Sequence, residues 1–95
     1  HKVKGTPGEI VNAMAAGLKG DIAVEKGDNA AAAAAFEAAA KVSDNLYTAP
    51  LYLRKAAQAY TAAGNEAKAQ ECYKTISEKY PRSMDARDAM KQLAE

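Results

Sequence analysis

Gly27-Asp28-Asn29, an alanine-rich run and Phe36-Glu37 form one phrase of this chain; Gly64-Asn65-Glu66, a second alanine-bearing segment and Tyr73-Lys74 repeat it 37 positions later. The same offset pairs Gly20 with Ala57, Ala23 with Tyr60, Ala32 with Ala69, and Ala39 with Ile76. An internal period of this size is the mark of a stacked-repeat architecture, in which one supersecondary unit cannot bury its apolar face alone. Such chains are mostly scaffolds that bind other proteins, and rarely enzymes.

Ninety-five residues make a single domain, near the small end of what folds alone. Alanine is about a quarter of the chain, while Phe and Trp together contribute one residue. Alanine has the best helix propensity and lets neighbouring backbones approach. β-branched residues are sparse and never alternate, so the class is all-α. Thirteen basic residues stand against twelve acidic ones, interspersed, for a net charge of +1. That balance lacks the clustered basic face nucleic acid requires. The longest wholly apolar run, Ala30 to Phe36, is too short to span a bilayer, so no direct membrane insertion by this segment is expected. No signal-peptide pattern is visible in a start that reads as a cut edge.

Punctuation divides the chain into five helices. Thr6-Pro7-Gly8-Glu9 fits a capped start, and Gly27 ends the first helix near Lys26. Asp28 caps the second, which runs to Val42 or Ser43, and a loop with Asp44-Asn45 follows. Pro50 opens the third, ended by Ala63-Gly64; Asn65 caps the fourth, which Pro81 stops. Ser83 caps a fifth from Met84 to Ala94. Leu53, Ala56, Ala57 and Tyr60 share one face of the third helix; Ala69, Cys72, Tyr73, Ile76 and Tyr80 share one face of the fourth. The fifth offers Ala86, Met90 and Leu93 to the core, with Asp85, Asp88 and Lys91 opposite. Two- or three-residue loops make each pair an antiparallel hairpin.

These residues resemble the tetratricopeptide repeat (TPR), a two-helix unit of about 34 residues. Leu53, Ala57, Tyr60, Ala69, Tyr73, Ile76 and Pro81 fall at the family's signature spacings, with Ile76 in place of the usual small residue. The upstream unit matches through Gly20, Ala23, Ala32, Phe36 and Ala39, but has Asp44 where the closing proline belongs. Three extra residues in the connection give the longer offset. The resemblance implies an α–α superhelix of stacked antiparallel hairpins: repeat 1 over about 13–46, repeat 2 over 50–83, and a capping helix over 84–95. Lys79-Tyr80-Pro81-Arg82-Ser83-Met84-Asp85, with Tyr52-Leu53-Arg54-Lys55-Ala56, is similar to the C-terminal end of the YfgM-like group of bacterial envelope TPR proteins. That likeness implies a periplasmic location, anchored by a membrane helix ahead of the repeats.

By family spacing, the partner groove is lined by Met14, Gly17, Asp21 and Val24 from the first unit and by Leu51, Arg54, Gln58 and Thr61 from the second. Composition alone reads Arg54 and Gln58 as a solvated helix face. The five tyrosines, Tyr47 and Tyr52 among them, form no stacking platform without a basic groove. Cys72, on an interior face, reads as an inert core thiol, and Asp85 and Asp88 as capping and solvated groups rather than metal ligands. With one terminal His, one core Cys and no phosphate loop, the chain is read as no enzyme, with no cofactor. The function expected is a non-catalytic scaffold taking a protein or peptide partner. The second reading is a self-association module building a homodimer or larger oligomer through the Ala30–Ala35 surface or the open edge of the first helix.

Overall fold

The computed structural model describes residues 7–42 and 48–94, and among them every regular element is helical: α1 Pro7–Glu25, α2 Asn29–Val42, α3 Ala49–Ala62, α4 Glu66–Lys79 and α5 Met84–Ala94. Thr6, the Asp44–Asn45 loop and Tyr47 lie outside the described residues.

The repeated phrase builds the same turn twice. Gly27 and Gly64 take φ of 78° and 83°, a region closed to most side chains. Around the first, Gly27 N–H donates to the Val24 carbonyl at 3.0 Å and Asp28 N–H to Ala23 at 2.9 Å; around the second, Gly64 donates to Thr61 at 3.0 Å and Asn65 to Tyr60 at 2.8 Å. Both are Schellman closures, which satisfy carbonyls left open at a helix end. The next residue then caps the following helix: Asp28 Oδ1 accepts from Ala31 N–H at 3.1 Å, and Asn65 Oδ1 from Lys68 N–H at 3.2 Å. Three residues therefore end one helix and start its neighbour, which forces α1/α2 and α3/α4 into hairpins. Ser83 works similarly at α5, its Oγ accepting from Ala86 N–H at 3.2 Å and donating to the Tyr80 carbonyl at 2.7 Å.

Each helix packs on the next in sequence, and α3 also touches α5. The product is a slab of 39 × 31 × 17 Å. Its core is mostly alanine: Ala13, Ala32, Ala39, Ala56, Ala57 and Ala69 are fully buried, with Phe36, Tyr52, Tyr73 and Ile76 as the bulky members. Small residues let the helices approach, and two glycines go further. A methyl group at Gly20 would lie 2.6 Å from Cδ1 of Phe36, and one at Gly17 would lie 2.6 Å from Cζ of Tyr52. The two rings stack on each other at 6.3 Å and 14°.

The last helix departs from the expected pattern. Ala86 and Ala89 are its buried residues, whereas Met90 and Leu93 remain 49% and 37% exposed. α5 has neighbours on one side only, so two alanines three apart fill the contact and the larger side chains are left at the rim. Asp85, expected to be solvated, is instead 18% exposed at its side chain and paired with Arg54.

Gly20→Ala is expected to lower stability by about 1–3 kcal/mol through overpacking against Phe36, although in an open helix interior the same change adds roughly 0.5–1 kcal/mol. Gly8→Ala, with nothing within 4 Å, serves as the control and is expected to be neutral or stabilising. Urea unfolding followed by circular dichroism distinguishes the two.

Candidate functional site

α1 and α3 meet through side chains at the Phe36–Tyr52 stack, and a groove lies between them. It encloses about 300 Å³; Asp21 and Val24 of α1 form one wall, Lys55 and Gln58 of α3 the other, and Phe36, Ala59 and Ala62 add apolar surface. Leu51, Lys55, Gln58 and Ala62 fall at i, i+4, i+7 and i+11, so one face of α3 supplies its wall. Lys55 reaches across: its Nζ donates to Asp21 Oδ1 at 3.1 Å and stands 5.1 Å from the Phe36 ring centre and 6.0 Å from that of Tyr52. The two side chains are 35% and 49% exposed, so the pair contributes at most about 1 kcal/mol and opens readily for a competing charge. Burial raises the Tyr52 phenol, and the negative charge of Asp21 adds to this.

The expected groove residues divide. Asp21, Val24 and Gln58 line it. Leu51 is half-buried on the same face of α3, one turn before Lys55. Gly17 does not face a ligand: it is buried, with the Tyr52 ring seated on it. Met14 is 53% exposed and does not line the groove. Arg54 and Thr61 project from α3 away from the groove wall; Thr61 is exposed, and the Arg54 Nε donates to Asp85 Oδ1 of α5 at 2.6 Å. The missed residue is Lys55. Its signal was present in a charge opposite to that of Asp21 on the helix face that also carries Leu51 and Gln58.

The other side of α3 holds a second cavity, of about 330 Å³, with Leu53, Glu37 and Tyr80 in its walls and Lys41 and Lys79 beside them. There the Tyr60 hydroxyl donates a hydrogen bond to Glu37 Oε1. That bond, with burial second, pushes the Tyr60 phenol up to about 12. Tyr60 is half-buried and packs against the core, with this bond at its outer edge. Cys72 is buried, and desolvation, aided by Glu37 and Glu71, pushes its thiol up to about 12. The thiolate is thus suppressed, in keeping with an inert core cysteine. Among the described residues, no three His, Cys, Asp or Glu side chains converge as metal ligands, and no helix is long and apolar enough to cross a membrane. No family model, curated protein or solved structure matches the chain.

The raised thiol and phenol set a pH dependence. A group protonated more firmly in the folded state stabilises it below the unfolded pKa and loses that contribution as pH rises through the folded one. For Cys72 the window runs from 9.0 to about 12, and for Tyr60 from 10.0 to about 12. Urea midpoints are therefore expected to hold to pH 9 and fall above it. Tyr60→Phe should cost about 1–2 kcal/mol at neutral pH and flatten the decline above pH 10. Native Cys72 should react with a disulfide reagent at least a hundredfold more slowly than in urea.

Proposed function

We propose that this chain is a non-catalytic protein-interaction scaffold of the tetratricopeptide type, whose α1–α3 groove takes a short stretch of a partner polypeptide. The observation that carries this reading is the groove itself, with an apolar floor, an amide and a displaceable ion pair side by side. Phe36, Ala59 and Ala62 suit an aliphatic side chain. Gln58 can satisfy a peptide N–H and C=O together, and Lys55 can exchange Asp21 for a carboxylate on the ligand. Under this reading the hairpins stack right-handedly as a superhelix, and α1, α3 and α5 form its inner face. The repeated turn chemistry and the small-residue pattern support it. The wording of the chain around Lys79-Tyr80-Pro81-Arg82 supports a setting in the bacterial envelope, within a longer membrane-anchored protein.

Two hairpins give a short groove, and a docked peptide would bury less than the roughly 1,200 Å² of a standard interface, so micromolar or weaker affinity is expected. The test is selection of peptides from a random display library on the immobilised chain, followed by titration calorimetry. Lys55→Ala with Gln58→Ala should weaken the selected peptides by roughly tenfold, the order of one charge-assisted hydrogen bond. Peptides whose binding ignores both changes, or failure to select any, would refute the groove.

A further inference from the structure

α1 is apolar on two opposite faces. One, with Ala13, Gly17 and Gly20, is buried against α2 and α3. The other carries Val11, Met14, Leu18 and Ile22 at spacings of three, four and four, exposed by 61%, 53%, 60% and 52%. Ala15, also exposed, lies among them. The four large side chains together expose on the order of 400 Å² of contiguous apolar surface, the size of patch that marks an interaction site on a monomer. No charged residue occurs between Val11 and Leu18; Lys19 and Asp21 flank the stripe, and Glu25 stands at its C-terminal end.

We propose that a second copy of this chain covers the stripe, the two α1 helices crossing antiparallel about a twofold axis. The stripe is self-complementary in that arrangement. Val11 of each copy meets Ile22 of the other, and Leu18 of each meets Ala15, so a large side chain faces a small one on both sides of the axis. The same register sets Glu25 beside the first turn of the opposing helix. There Gly8 is exposed with nothing within 4 Å of it, and the positive end of the helix dipole favours a carboxylate. A parallel pair would put the two Glu25 carboxylates side by side instead. Two stripes bury roughly 800 Å², and their polar borders bring the contact towards the 1,200 Å² where specific interfaces begin. The result is a weak, closed dimer. The exposed alanines of α2, at Ala30, Ala31, Ala34 and Ala38, offer far less area per residue and are not the seam. Pairing through α1 does not depend on the groove reading: Asp21 borders both surfaces, but Phe36, Lys55, Gln58, Ala59 and Ala62 of the groove belong to α2 and α3 and lie outside the α1 seam.

Sedimentation velocity over two decades of concentration tests this. A monomer–dimer equilibrium is expected, with a dissociation constant on the order of 10–100 µM. Leu18→Glu should raise that constant at least tenfold with helix content unchanged, while Met90→Glu on α5 should leave it as it was. Oxidation of the Val11→Cys/Ile22→Cys double variant should give a covalent dimer that neither single variant forms. A monomer at every concentration overturns the proposal, as does a dimer indifferent to Leu18→Glu. Oligomers growing beyond two copies overturn it as well, because they would mean head-to-tail contact between α1 and the open face of α5. Groove peptides should bind Leu18→Glu unchanged, which separates failure of the dimer from failure of the groove.

Discussion

Two aromatic rings resting on two glycines hold the first three helices in place. Phe36 of α2 sits on Gly20 and Tyr52 of α3 on Gly17, and the rings stack on each other. Gly17 and Gly20 are three residues apart, so both rings press on the same side of α1. That contact fixes the helix rotation. It sets Asp21 and Val24 at the edge facing α3, where the groove forms, and turns Val11, Leu18 and Ile22 directly away. It also supplies the groove with aromatic surface, over which Lys55 lies before reaching Asp21. A methyl group on either glycine would displace a ring, and with it both the groove and the outward stripe.

Ion pairs link helices that have no short turn between them. Asp21–Lys55 joins α1 to α3, and Arg54–Asp85 joins α3 to α5. The second is shorter, at 2.6 Å, and less exposed, so it is the one able to fix the position of the last helix; an exposed lysine pair is worth little on its own. Lys55 and Arg54 are adjacent in sequence, a rotation of about 100° apart on the helix, and this sends one towards α1 and the other towards α5. The groove therefore has one loosely held cation, while the neighbouring arginine is committed to structure.

Much of the fold was legible because its signals are local. Gly27 and Gly64 announce positive φ, Asp28, Asn65 and Ser83 announce caps, and Tyr80-Pro81 announces a stop; helix ends follow from backbone groups that must be satisfied within a few residues. The alanine, Phe36 and Tyr73 core followed from periodicity. What failed depended on distant partners. Family spacing places Gly17 in the groove, yet a glycine has no side chain to point there, and its lack of one is what admits Tyr52. Arg54 reads as a free guanidinium until the rotation of α5 brings Asp85 to it. Met90 and Leu93 share a helical face with Ala86, and nothing local says that the neighbours end before reaching them. Lys55 was overlooked because a residue one step off the expected wall still counts when its side chain is long enough to cross.

The distribution of large apolar residues reverses the usual one. The interior is alanine with a few aromatics and Ile76, while Val11, Met14, Leu18, Ile22, Met90 and Leu93 sit on the outward faces of α1 and α5. Isolated exposed aliphatics are ordinary, but a row of them on one helix face is not. A close-packed stack explains the first half of the pattern, since helices drawn together by alanine and glycine leave no volume for leucine between them. The second half concerns the outward faces of α1 and α5, which no other helix among the described residues covers. A helix packed on one side only normally turns polar residues to its other side, and on α1 Val11, Met14, Leu18 and Ile22 stand there instead. The fold thus packs its core largely from alanine, with Phe36, Tyr52, Tyr73 and Ile76 as the bulky members, and leaves the large aliphatic side chains of α1 on its surface.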